Sequence, residues 1–156
     1  MKAVVQRVKR AAVTVEGKTV GSIGAGLLIL LGVTREDTEE NAALLAEKLS
    51  NMRIFTDQND KMNLSLLSVG GEALVISNFT LCADVRRGTR PSFDSAMPPE
   101  RANELYQNFC FCLRERGVIK VEQGIFGADM SVELLNDGPV TISLDTEVYN
   151  KPRNSK

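Results

Sequence analysis

The chain of 156 residues contains no histidine. That excludes Ser-His-Asp and Cys-His catalytic arrangements, and it removes the commonest metal ligand. A hydrolase built on this chain must use a carboxylate, an amine, backbone dipoles or groups of its own substrate. Cysteine is scarce as well: Cys82, Cys110 and Cys112 form an odd set whose spacing suits no zinc site. Cys110 and Cys112 cannot share one helix face, so the cysteines are expected to stay reduced and to hold no metal. The longest apolar run, Leu27 to Leu31, falls far short of the ~20 residues a membrane helix needs. The N-terminus carries Lys2 and Arg7 within its first apolar stretch and lacks a signal-peptide cleavage pattern. A cytoplasmic chain with no membrane partner and no cofactor is therefore expected. Net charge is nearly absent too, at −1, so no global attraction to nucleic acid is expected.

What is present suits one soluble domain. Hydrophobic residues make up 43% and charged residues 25%, an ordinary globular balance, and the length is enough for a proper core. Residues 1–146 are read as the domain and 147–156 as a polar, frayed tail. Strands are predicted over 2–8 and 11–15, with a hairpin turn at Glu16-Gly17-Lys18 and a return strand over 19–23. Residues 27–33 are apolar except for Gly32, which predicts a strand covered on both faces. A first helix is predicted over 37–51, capped by Asp37 with Glu40 three residues on. Further strands are predicted over 52–55 and 72–76, with 56–63 as a loop. A long loop over 84–98 precedes a second helix, 99–116, which Pro99 opens and Gly117 closes. Strands over 118–121, 128–135 and 140–145 follow, with a tight turn at 136–139. Strands outnumber helices, and both helices lie between strands. The fold class predicted is α/β, a single mixed-sheet domain with two helices covering one face.

Two stretches concentrate polar groups at strand ends. Ser77-Asn78-Phe79-Thr80 follows the apolar run 73–76 and offers two hydroxyls, an amide and backbone N–H groups that a sheet does not fully use. Two such N–H groups converging on one point make an oxyanion hole, where one donor is worth about 3 kcal/mol. On residue pattern alone, a polar strand end bonded to itself is the better explanation, because Ser-Asn-Phe-Thr is a common kind of turn. Thr80 as a nucleophile needs a base, and none is adjacent in sequence. The second stretch, Asn136-Asp137-Gly138-Pro139, reads as a plain turn on residue types. Its glycine also permits a close backbone approach to a ligand. Phe126 and Met130 suit either ordinary core or a flat pocket for a base. Arg86, Arg87 and Arg90 cluster after the first stretch, either as a solvated face or as an anion-steering patch.

Several motifs occur together and in order: Gln6-Arg7-Val8, Arg53-Ile54-Phe55 with Lys61-Met62-Asn63, Ser77-Asn78-Phe79-Thr80-Leu81, Arg90-Pro91-Ser92-Phe93, and Asn136-Asp137-Gly138-Pro139-Val140-Thr141. In this the chain resembles the bacterial D-aminoacyl-tRNA deacylases (the D-tyrosyl-tRNA deacylase family) over roughly residues 1–145. The resemblance implies a homodimer with that family's fold. It implies hydrolysis of the ester joining a D-amino acid to the 3′ end of aminoacylated tRNA, with glycyl-tRNA as a secondary substrate. It makes Ser77, Asn78, Phe79 and Thr80 the catalytic pocket floor. It makes Gly138-Pro139 a cis pair that reaches into the partner subunit's pocket and excludes L side chains, with Arg7 bracing the turn. Phe126 and Met130 match positions lining an adenine pocket. Hydrolysis would use the RNA's own 2′-hydroxyl with backbone N–H groups. The pattern departs at residue 78, where the family usually has glutamine; asparagine sets the amide about 1.5 Å nearer the backbone. Two other readings stay open on sequence: an esterase with Thr80 as nucleophile, and a non-catalytic RNA-binding dimer.

Overall fold

The computed structural model describes residues 1–150. Its strands are β1 (Lys2–Val15), β2 (Lys18–Ile23), β3 (Gly26–Gly32), β4 (Phe55–Thr56), β5 (Met62–Leu64), β6 (Glu72–Ser77), β7 (Val121–Gln123) and β8 (Ser131–Asp145). Its helices are α1 (Glu39–Asn51) and α2 (Pro99–Glu115). One mixed sheet runs β2-β1-β3-β6-β7, with β8 added on β1. β3, β6 and β7 are parallel, and the crossovers between them carry α1 and α2. The sheet curls until β2 meets β7, so it is nearly closed.

β1 is one strand where two are predicted. It pairs with β3 over residues 2–8 and with β2 over residues 11–15. The exposed Lys9 and Arg10 mark the change of partner, which local sequence reads as a break. Along its other edge β1 pairs with β8 for almost its whole length. The predicted turn at 136–139 therefore does not separate two strands. Residues on both of its sides pair with the same strand, and 137–140 form an excursion from β8 opposite Arg7.

Both helices cover one face of the sheet. Ala42, Leu45, Ala46 and Leu49 of α1 and Leu105, Phe109 and Leu113 of α2 bury against Val5, Leu27, Ile29, Leu31, Ala73 and Val75. Each fully buried leucine of this kind contributes about 1.5–3 kcal/mol. On the opposite face, Leu28, Leu74 and Ile76 pack with Val8 and Val13, and Met130, Val132 and Leu134 lie partly buried against them. Covering both faces of β3 explains its unbroken apolar run.

Other local expectations are corrected. The cap of α1 is Thr38, whose backbone N–H donates to Asn41 Oδ1 at 2.9 Å. Asp37 is drawn away from that role: it is buried, ion-pairs the α-amino group of Met1, and accepts the Thr34 N–H at 2.7 Å. The predicted loop after residue 55 contains a small hairpin, β4 with β5, whose turn Asp57 organises by accepting the Asn59 and Lys61 amides. The predicted strand over 118–121 begins only at Val121. A 3-10 turn, Thr146–Asn150, takes in the last residue of the predicted domain and the first four of the predicted tail; Lys48 Nζ lies 5.3 Å from the centre of the Tyr149 ring, and the Thr146 hydroxyl accepts from the Met1 amine at 2.7 Å. The remainder, 151–156, lies outside the described residues.

Candidate active site

In sheets with parallel strands, ligands gather outside the carboxyl ends of those strands. Here the segments leaving β3, β6 and β7 converge on one cavity of about 900 Å³, within the range of small-molecule ligand sites. Val33 and Arg35 follow β3, Ser77 to Phe79 end β6, and Phe126 and Met130 lie between β7 and β8. The start of α2, from Pro99 to Ala102, closes a further wall. The lining is largely apolar.

After Ser77 the chain leaves β6 through Asn78, whose N–H donates to Leu31 O at 2.8 Å. Residues Phe79–Cys82 then form a 3-10 turn. Such a turn leaves its first N–H groups without partners inside it. Among the described residues, no acceptor meets the N–H of Phe79 or of Thr80. Gly32 makes this arrangement possible. A Cβ there would lie 2.9 Å from Leu81 Cβ and 3.1 Å from Asn78 O, so only glycine lets the turn pack on β3. The Phe79 side chain is 58% exposed and meets Phe93 edge-on, with ring centres 5.0 Å apart. The Thr80 hydroxyl donates to Asn78 Oδ1, and Thr80 does not line the cavity. The Asn78 amide oxygen is thus committed to its own turn.

Tyr106 and Phe126 pack with ring centres 5.9 Å apart at the inner wall, and Tyr106 Oη donates to Val75 O at 2.7 Å. Burial pushes the Tyr106 phenol well above its usual range. Burial likewise raises all three thiols, Cys110 to about 12, so none is a ready thiolate.

The structure gathers Ser77, Asn78, Phe79, Phe126 and Met130 around one cavity. It does not place Gly138, Pro139 or Arg7 at the cavity of their own chain. The Gly138-Pro139 bond is cis, and both residues are exposed on the excursion from β8. Arg7, 8% exposed, fixes that excursion from beneath. Its Nε donates to Asp137 O at 2.9 Å, its Nη1 donates to Ile54 O at 2.6 Å, and Asp137 Oδ2 lies 3.6 Å away. Asn136 closes the loop by accepting the Val140 N–H at 2.9 Å. Gly138 has φ 149°, and a Cβ there would sit 2.7 Å from Val140 N, so the excursion requires glycine.

Arg86, Arg87 and Arg90 are exposed on the loop between β6 and α2. Arg86 is not free: it pairs with Asp84 at 2.6 Å and holds that carboxyl down at about 2. Among the described residues Arg87 and Arg90 have no ion pair. The sequence reading missed Arg35, Phe93 and Tyr106 as cavity residues. Phe93 carried a signal, its place in the Arg90-Pro91-Ser92-Phe93 motif. The other two looked like surface charge and core.

A mixed α/β domain with both helices on one face of its sheet and an apolar cavity at the carboxyl ends of its parallel strands is the class of protein these observations define. Comparison with known proteins is specific. The family model for D-Tyr-tRNA(Tyr) deacylase matches residues 4–145. A D-aminoacyl-tRNA deacylase of Anaeromyxobacter dehalogenans is 58% identical over 146 residues, covering 94% of this chain and 97% of that protein. One from Thermus aquaticus is 54% identical over 154 residues, covering 99% of each. The solved c-Myc DNA Unwinding Element Binding Protein superposes with a TM-score of 0.88 at 43% identity, over 93% of this chain and 98% of that one. The chain belongs to the D-Tyr-tRNA(Tyr) deacylase family.

Proposed function

We propose that the cavity at the end of β6 is where this chain, a hydrolase acting on the ester bond of D-aminoacyl-tRNA, carries out its reaction. The terminal adenosine lies between Phe126 and Met130, and the ester lies at the 3-10 turn. The Phe79 and Thr80 N–H groups receive the oxyanion as the ester carbon becomes tetrahedral. The RNA's own 2′-hydroxyl assists, which suits a chain without an imidazole base. The enzyme is a homodimer in which Gly138-Pro139 of one subunit enters the cavity of the other. Its carbonyls leave room for a D side chain and collide with an L one. Glycyl-tRNA, with no side chain to reject, passes the same filter. The observation that carries this reading is the 3-10 turn at the end of β6: Phe79 lines the apolar cavity, and among the described residues the Phe79 and Thr80 N–H groups meet no acceptor.

The test is a deacylation time course on D- and L-tyrosyl-tRNA with wild type, Asn78→Gln and Thr80→Val. The expected result is turnover of the D substrate only. Thr80→Val keeps its backbone N–H and should retain activity within about tenfold, the scale of one neutral hydrogen bond. Complete loss in Thr80→Val would instead favour a threonine nucleophile. Absence of turnover in the wild type would favour an RNA-binding dimer.

In this reading Arg86, Arg87 and Arg90 steer the acceptor end. Because Arg86 is already paired with Asp84, Arg87 and Arg90 carry most of the effect. Replacing all three with alanine should flatten the plot of log affinity against log salt by roughly two contacts' worth. An unchanged slope counts against steering by this loop.

A further inference from the structure

Among the described residues, Arg35 is the one charged side chain lining the cavity. It stands on a rigid turn. Its N–H donates to Ser95 O at 3.0 Å, and Thr34 beside it is tied to the buried Asp37 carboxylate through both N–H and hydroxyl, at 2.7 and 3.0 Å. The guanidinium is aimed as well, because Nε donates to Asp94 O at 2.6 Å. That bond uses Nε and leaves both terminal nitrogens available. Among the described residues no carboxylate pairs with Arg35, whereas Arg86 and Arg101 are both paired. An unneutralised, oriented guanidinium at the edge of an apolar cavity is a fork for a bidentate anion. The N-terminus of α2, opening at Pro99 on the same cavity, adds partial positive charge.

We infer that Arg35 binds the phosphate on the 5′ side of the substrate's terminal adenosine and so sets how far the nucleotide enters the cavity. Arg35 is a positioning residue, since it touches the nucleotide away from the ester. The inference rests on the proposed use of this cavity for the adenosine. It assigns a phosphate subsite separate from the exposed arginines of the loop after β6.

The experiment measures inhibition of D-tyrosyl-tRNA hydrolysis by adenosine and by adenosine 5′-monophosphate, with wild type, Arg35→Gln, Arg35→Lys and Lys61→Gln, an exposed cation away from the cavity. In the wild type and in Lys61→Gln the monophosphate should inhibit roughly tenfold or more better than adenosine, as for a hydrogen bond to a charged group. In Arg35→Gln that ratio should fall to about one while inhibition by adenosine itself is unchanged, and KM should rise with kcat held. Arg35→Lys, a point charge without the fork, should keep part of the ratio. Equal inhibition by the two compounds in the wild type, or a ratio that survives in Arg35→Gln, overturns the inference. So does equal weakening of both compounds in Arg35→Gln, which would mark a merely structural role. Failure of adenosine to inhibit the wild type overturns the cavity assignment itself, and this inference with it.

Discussion

Arg7→Ala should lower kcat/KM for D-tyrosyl-tRNA by about 10²-fold or more, the scale of a 1 Å misplacement at a reacting centre. The residue does not touch the cavity of its own chain. Its guanidinium joins the carbonyls of Asp137 and Ile54, which belong to two segments far apart in sequence. Removing it leaves two carbonyls short of a donor and frees the excursion that carries Gly138 and Pro139. Each orphaned buried acceptor costs about 1–3 kcal/mol, so urea unfolding should show a loss of roughly 2–5 kcal/mol. Arg7→Lys keeps the charge and one hydrogen bond but cannot fork between both carbonyls. It should recover much of the stability and little of the activity. If Arg7→Ala unfolds early yet retains full activity where it is still folded, the excursion has no part in the reaction.

Gly32→Ala should have an effect on activity of comparable size, with a smaller loss of stability than Arg7→Ala. One methyl group would press on Leu81 Cβ, Asn78 O and Cys82 Sγ, at 2.9, 3.1 and 3.3 Å. Overpacking of this kind typically costs 1–3 kcal/mol, which a folded domain of about 5–15 kcal/mol survives. The relief available is a shift of the 3-10 turn away from β3. That shift carries the Phe79 and Thr80 amides with it, and losing one oxyanion donor costs about 10²–10³ in kcat. A thermal melt alongside single-turnover deacylation separates the two effects. Near-normal turnover in a destabilised Gly32→Ala would show that the amides of this turn are not the catalytic donors.

Much of this architecture could be read from residues alone, for local reasons. The run 27–33 could only be a strand with both faces covered. α2 announced itself through Pro99, Gly117 and the stripe Leu105, Phe109, Leu113. Ser77 to Thr80 stood out because a polar turn ended a buried run. What could not be read depends on partners distant in sequence. β1 is continuous because β8 backs it along almost its whole length. The excursion at 137–140 looks like a hairpin turn until its two flanks are seen to share one neighbour. Asp37 looks like a helix cap until the Met1 amine and Thr34 take its carboxylate. Arg35 looks like surface charge until β3, α2 and the loop between them enclose a cavity beside it. Asn78 looks like a free amide in the sequence until its bond to Thr80 shows a side chain folded onto its own turn.

The central claim is that each working site joins the cavity of one subunit to the Gly138-Pro139 excursion of the other. Mixing two impaired chains tests it most directly. Gly32→Ala spoils the cavity and leaves the excursion intact; Arg7→Ala does the reverse. After co-refolding in equal amounts, half the dimers are mixed, and each mixed dimer holds one site with both parts sound. Activity should return to about a quarter of the wild-type level, as two-fold symmetry requires. If the mixture stays at the average of the two impaired proteins, while labelled chains show that subunits have exchanged, the parts belong to a single chain and the composite site is wrong.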